Sequence, residues 1–292
     1  MTATMRAVVF HGPGDLRDEV LPVPEPARGE IVVRIDAALT CGTDVKVRRR
    51  GHPVMIPRVP TVFGHEFAGT VTAVGAGVSR VREGDRVAAA NSAPCGECRP
   101  CLAQRPNLCE DLLFVNGAYG EYIALPPRLV AKNIVRLQRL TAVRAAFAEP
   151  LACALLGIGE CLDASATADV VADLRAVTDG RGPDVTIDAT GRPEVWEQAM
   201  AAVGRGGSVV FFGGCAPGTT VQVDTRRAHY EELTLVGAFH HTPELIRQAV
   251  DALETGTIVP DGLLTHRMRL DGVHAALDLM QKGEALKVLI EP

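Results

Sequence analysis

Four cysteines within fifteen residues, Cys95, Cys98, Cys101 and Cys109, stand in the pattern C-x2-C-x2-C-x7-C. Such a run can wrap one tetrahedral ion, because thiolates are the soft ligands zinc favours. With every position filled by sulfur, no place remains for substrate, so this zinc would clamp a loop. Two other readings exist: four unrelated buried thiols, and an iron–sulfur centre, which four thiolates also suit. A second set is scattered: Cys41 in CGTD, His65 and Glu66 in GHE, and Glu149 in EPLAC. One thiolate, one imidazole and one or two carboxylates leave room for water or substrate, as a catalytic zinc requires. Taken singly, His65 reads equally as a core histidine and Glu149 as a solvated helix residue.

Elements must bring these residues together. The 292-residue length favours two domains over one core. A hydrophobic content of 47% with 22% charged residues is that of a globular protein. The net charge of -5 and the 4% aromatic content argue against a nucleic-acid partner. No apolar run is long enough to span a bilayer. The start, MTATMRAVVFHGPG, lacks a signal-peptide core, so a cytoplasmic location is the expectation. In that compartment eight cysteines read as ligands and buried thiols, not disulfides.

The first part of the chain is dense in short β-branched runs broken by Gly and Pro: RAVVF, EIVVRIDAA, FAGTVTAV, DRVAAA, EYIAL. That density predicts a small irregular barrel. From Leu140 the text becomes helical, with Pro150 expected to break or kink it. Past Cys161 it alternates between strand and helix. ADVVADLRAVTDG, PEVWEQAMAAV and PELIRQAVDALETG read as helices, and DVTIDAT and LTLVGAF as buried strands. Cys153, Cys161 and Cys215 are expected to be buried thiols.

The string from CGTDVKV through GHEFAGTVTAVGAGVSRVREGDRV, the four-cysteine loop and YGEYIALPPRLVAK resembles the zinc-containing medium-chain dehydrogenase/reductase superfamily. EPLACALLGIGEC and HYEELTLVGAFHHTPELIRQAV are similar to its sorbitol and threonine dehydrogenase branch, where Glu149 stands in place of a cysteine. The resemblance implies a mixed α/β protein: a GroES-like β-barrel domain at 1–140, rejoined by 263–292, and a Rossmann-like doubly wound domain at 141–262. It implies Cys41 and His65 as catalytic-zinc ligands, with Glu66 and Glu149 as further ligands or exchanging carboxylates. Thr43 would relay the alcohol proton, Asp44 would fix the imidazole of His65, and His52 would extend the proton path or simply sit in a solvated loop. The implied activity is oxidation of a polyol or amino alcohol with NAD or NADP, by a homodimer or homotetramer.

One family feature is missing. No G-x-G-x-x-G follows a strand anywhere in the chain. VGAGVSRV enters no helix, and GRGGS precedes a strand. Cys161 runs at once into LDASATADVVADL, which resembles the third strand and its helix, so the Rossmann-like domain is truncated by roughly 50–60 residues. The retained strand ends imply a nicotinamide-side pocket: Ala189-Thr190-Gly191, Gly213-Gly214 after Phe212, and Gly237-Ala238-Phe239. Lys287 is either a cation for the same cofactor or simply a solvated lysine. Two functions follow as expectations: a zinc-dependent NAD(P) dehydrogenase, or a catalytically silent zinc-binding remnant that cannot hold the dinucleotide.

Overall fold

The computed structural model describes residues 3–154 and 169–292. Cys161 lies outside the described residues, as does the side chain of Cys153. The chain forms two compact units: Met1–Leu156 with His241–Pro292, and Gly157–His240. The chain thus rejoins the first unit at His241, earlier than residue 263. The reason is packing: in the helix Pro243–Glu254, Ile246 and Ala249 are buried against Ala90 and Ala152, and Val250 and Leu253 against Leu137 and Phe147.

The first unit is built on a seven-stranded sheet. Its order is Ile134–Arg136, Arg86–Ala89, Glu66–Val74, Ile31–Leu39, Lys287–Glu291, Leu264–Arg269, with Tyr122–Leu125 also paired to Ile31–Leu39. All pairs are antiparallel except Lys287–Glu291 with Leu264–Arg269. Alternation assigns the two faces. Val33, Ile35, Phe67, Val87 and Ala89 join the larger core with Phe10, Phe63 and Tyr119. Ala37, Ala68 and Ala88 face the other way. These small side chains let the helices Ala142–Ala145 and Pro243–Glu254 pack close over the sheet. Leu39 and Leu289 are fully buried on that face, each contributing roughly 1.5–3 kcal/mol by leaving water. The helical stretch breaks at Ala146–Phe147, ahead of Pro150, which falls in the first turn of Ala148–Ala154. A proline there forfeits no helical hydrogen bond, so it starts the helix instead of kinking it.

The second unit holds a parallel sheet in the order Val185–Asp188, Ser208–Phe211, Thr234–Gly237. Three helices accompany it: Val170–Ala176, Pro193–Ala202 and Thr225–Tyr230. Thr186, Asp188 and Val209 point to the buried face. The opposite face leaves Val185 54%, Ile187 42% and Val236 43% exposed. LTLVGAF is therefore exposed along Thr234–Gly237 and not buried. It is an edge strand, and among the described residues no further strand flanks it. Val185–Asp188 is the other edge, so the three strands match the second half of a doubly wound sheet.

The strand ends of this unit are tied together by Asp188. Its carboxylate accepts from Thr190 N at 3.0 Å, Thr190 Oγ1 at 2.7 Å, Gly191 N at 3.0 Å and Trp196 Nε1 at 2.9 Å. The Trp196 ring stacks on Phe211 at 4.0 Å. A Cβ on Gly191, whose φ is 67°, would stand 2.4 Å from Gly214 O, and one on Gly213 would stand 2.2 Å from Gly191 N. Only glycines permit this backbone approach.

Burial by itself would raise the Asp188 carboxyl, but the donors from Thr190, Gly191 and Trp196 outweigh it and hold it below the usual carboxylate range. Its stabilising contribution is therefore present above about pH 4, the unfolded value, and lost as pH falls through the lower folded value. Trp196 is the only tryptophan, so its fluorescence in urea reports this unit. Asp188→Ala is expected to destabilise it by about 2–3 kcal/mol, with the difference from wild type shrinking at acid pH.

Candidate zinc sites

The four-cysteine loop is shaped by its backbone. Cys98 precedes the short helix Arg99–Leu102, and Cys109 ends the turn Pro106–Leu108. Backbone N–H groups converge on sulfur: Glu97 N and Cys98 N donate to Cys95 Sγ at 3.4 and 3.3 Å, and Cys95 N donates to Cys109 Sγ at 3.1 Å. The sulfurs of Cys95 and Cys101 are 3.9 Å apart and those of Cys98 and Cys109 3.8 Å apart. All four lie within 4.8 Å of one another. Zinc–sulfur bonds of about 2.3 Å in a tetrahedron require sulfurs about 3.8 Å apart. The spacing fits one ion and is too tight for a multi-iron cluster. The donors from Glu97 and Cys98 bring the Cys95 thiol down to about 6, whereas burial pushes Cys101 up to about 12. Lys132 Nζ anchors the loop by donating to Cys95 O at 2.6 Å.

The second set lies where the strand Ile31–Leu39 gives way to the helix Gly42–Arg50. Cys41 is the N-cap of that helix. Its Sγ accepts from Thr43 N at 3.4 Å, and Asp44 accepts from Cys41 N at 2.9 Å, a reciprocal cap. Asp44 is buried and fully engaged. Its Oδ1 lies 3.0 Å from His65 Nδ1, and its Oδ2 also accepts from Tyr119 OH at 2.6 Å. The proton of His65 is thereby placed on Nδ1, which leaves the Nε2 lone pair to bind metal. Burial opposes charge on His65, but Asp44 and Cys41 outweigh it and hold the ring well above its ordinary value. Burial likewise opposes the Cys41 thiolate, yet Lys287 and His65 bring it down to about 7. Tyr119 explains the glycine of GHE. A Cβ on Gly64, at φ 82°, would stand 2.8 Å from the Tyr119 ring.

The ligand atoms of Cys41, His65 and Glu66 all lie within 4.8 Å of one another. One thiolate, one imidazole and one carboxylate in a buried group fit a zinc ion with an open position. Glu149 stands outside this group. Its Oε1 is 3.5 Å from His241 Nε2, although its charge reaches both Glu66 and Lys287. Lys287 donates to both oxygens of Glu66 at 2.6 and 2.5 Å. Burial would lower the Lys287 ammonium, but Glu66 and Cys41 outweigh it and hold it above its usual value. Strand pairing of Leu289 with Leu39 and of Ile290 with Ala38 delivers Lys287 to this place. His52 accepts from Met55 N at 3.1 Å through Nδ1, so that nitrogen is committed to a local turn. Thr43 is half-buried in the first turn of its helix.

Sequence reasoning gave no role to two participants: Tyr119 on Asp44, and Asn91 beside His241. Tyr119 opens the quoted YGEYIAL string, so its signal was present without a role. Asn91 carried none.

In the second unit, Ala189, Thr190, Gly191, Gly213, Gly214, Gly237, Ala238 and Phe239 gather at the ends of the three parallel strands. Cys215, next to them, is half-buried. A dinucleotide needs more. The helices Val170–Ala176 and Thr225–Tyr230 begin at Asp169 and Asp224, whose carboxylates already take the free N–H groups. Such ends repel a pyrophosphate. The third described helix of the unit, Pro193–Ala202, starts without a side-chain cap.

Residues 27–135 match the alcohol dehydrogenase GroES-like domain, and residues 141–255 match the zinc-binding dehydrogenase domain. A sorbitol dehydrogenase from Bombyx mori is 31% identical over 342 aligned positions, covering 97% of each chain. The chain belongs to the zinc-containing medium-chain dehydrogenase/reductase family. An L-threonine 3-dehydrogenase from Bacillus licheniformis is 27% identical, covering 94% of each chain, so this family member sits beside both kinds of relative. A putative zinc-binding dehydrogenase from Sinorhizobium meliloti, solved bound to NADP, superposes with a TM-score of 0.87 at 26% identity. That superposition covers 99% of this chain and 100% of the other. The fold is thus a GroES-like unit with a Rossmann-like one. The 342 positions aligned with the Bombyx protein exceed the 292 residues of this chain, so at least 50 have no counterpart here. That agrees with a Rossmann-like unit of three described strands.

Two substitutions separate the zinc sites. Cys41→Ala should remove one zinc, measured by atomic absorption, and leave the four-cysteine zinc in place. Retention of both ions would refute the assignment. Cys98→Ser should lower thermal stability together with zinc content, because a structural zinc contributes folding energy. Unchanged melting with full zinc would rule out a clamp.

Proposed function

We propose that this chain is a zinc-dependent dehydrogenase of small alcohols, with a polyol or amino alcohol as substrate and NAD or NADP as hydride acceptor. The observation that supports it is the buried Cys41–His65–Glu66 group with the His65 imidazole set by Asp44. When bound, zinc supplies Lewis acidity that lowers the pKa of a substrate hydroxyl. Cys41 and His65 would hold the ion, with Asp44 fixing the His65 ring through Nδ1. The Thr43 hydroxyl, two residues from Cys41, takes and passes on the proton of the alcohol. Sorbitol and threonine dehydrogenases among the relatives favour substrates with vicinal hydroxyl or amino groups. No helix among the described residues is long and apolar enough to cross a membrane.

A second reading rests on the other unit. It is supported by three described strands and by two of the three described helix starts being already capped, by Asp169 and Asp224. On that reading the chain is a zinc-binding remnant that recognises a hydroxyl without oxidising it. Calorimetric titration of the folded, zinc-loaded chain with NADH and NADPH distinguishes the two. A dehydrogenase binds one of them at micromolar concentration and reduces NAD or NADP with sorbitol or L-threonine. No binding up to millimolar cofactor, from a sample carrying two zincs, establishes the remnant.

A further inference from the structure

We propose that Arg128 and Lys132 are positioning residues that bracket the four-cysteine loop and supply the positive charge its zinc–thiolate centre lacks. This goes beyond the dehydrogenase reading and rests only on the four cysteines holding one zinc. The need for charge is written in the loop itself. Four thiolates exceed the charge of one Zn2+ by two. Between Cys95 and Asp111 the chain adds Glu97, Glu110 and Asp111 against Arg99 and Arg105. The metal-loaded loop is therefore net negative and does not compensate itself. Cations brought from another element favour the thiolate form of the ligands.

The helix Pro127–Lys132 brings them. Arg128 and Lys132 are four residues apart, so they share one face of that helix. Arg128 Nη1 donates to Asp111 O at 2.7 Å and Nη2 to Asp111 Oδ2 at 2.6 Å, two residues past Cys109. Lys132 Nζ reaches the other end of the loop, donating to Cys95 O at 2.6 Å. One helix face thus ties down both the entry and the exit of the ligand run. The charge of Arg128 also acts on the sulfurs of Cys95 and Cys109. Gly96 suits this arrangement, because its φ is 90° and a Cβ there would collide with Lys132 Nζ.

The base of the bracket is firm. Leu129 and Val130, between the two cations, are buried in the larger core. Asn133, next to Lys132, donates from Nδ2 to Ser92 O, and its own carbonyl accepts from Ala90 N at 3.1 Å. The segment that leads into Cys95 is therefore held by the same helix end. The ion pair of Arg128 with Asp111 is not the point: the Asp111 side chain is 72% exposed, and such surface pairs contribute little. The weight of the bracket lies in its two backbone contacts and in positive charge beside sulfur, the setting in which an outer partner tunes a metal site.

The test measures zinc affinity by chelator competition, with zinc alone, on the full chain. Carrying Cys41→Ala, the chain reports the four-cysteine site by itself. With Cys41 intact, the second zinc checks that an effect is local. Variants are Arg128→Gln, Arg128→Lys, Lys132→Met and the double Arg128→Gln/Lys132→Met. Arg128→Gln and Lys132→Met should each weaken the four-cysteine zinc about tenfold, and the double variant should weaken it further. Arg128→Lys keeps the charge but loses the planar fork, so it should recover part of the loss. Added salt should weaken zinc binding more in the wild type than in the double variant, because partly exposed charge is screened. A role in packing alone would not show that difference. Unchanged affinity in a folded double variant, equal losses in Arg128→Gln and Arg128→Lys without salt dependence, or equal weakening of both zincs overturns the inference. A folded wild-type chain without zinc at the four cysteines overturns the zinc clamp together with it.

Discussion

The buried carboxylate of Asp44 is the constraint on which the first unit turns. It receives Cys41 N, Tyr119 OH and the Nδ1 side of His65. Those partners come from a helix start, a loop after the strand Leu113–Phe114, and the lead-in to the strand Glu66–Val74. A charge in a nonpolar interior is costly unless it is hydrogen-bonded on all sides. Here the cost is offset by assembling the ligand set: the same bonds that solvate Asp44 cap a helix, fix a tautomer and hold Cys41 against His65. Gly64 belongs to the same arrangement, because its missing Cβ is what admits the Tyr119 ring.

A second buried ion pair, Lys287 with Glu66, joins the end of the chain to this centre. The pairing of the last strand with Ile31–Leu39 makes that contact obligatory. The same strand pairing that completes the sheet thus also places Lys287 against Glu66. The four-cysteine loop behaves differently. Its sulfurs are organised by local N–H groups and short turns, and its connection to the rest of the unit includes the hydrogen bond from Lys132 to Cys95 O. One site is assembled by long-range packing and the other by a local chain excursion.

Among the described residues, the second unit presents three neighbouring strands of a doubly wound sheet. The ends of the three parallel strands are kept tight by Asp188, Gly191 and Gly213. Among the described residues, the exposed Val185, Ile187 and Val236 lie on a sheet face that no helix covers closely, and both edge strands lack a further partner.

The sequence by itself determined the family and the GroES-like and Rossmann-like pairing. These are written in contiguous strings whose spacing carries the chemistry. Ligands separated by three residues, as in the four-cysteine run, are close in space whatever the rest of the chain does. Tertiary structure decided what lies between distant residues. It placed Glu66 against Lys287, 221 positions away, and Glu149 beside His241 and Asn91. It assigned the helix Pro243–Glu254 to the first unit through its packing on Ala148–Ala154. It exposed LTLVGAF, which reads as buried because its apolar run assumes neighbours that a three-stranded sheet does not supply. Local pattern records which side chains can be buried or can bind. Only the packed chain determines which of them meet, because burial depends on partners contributed from elsewhere.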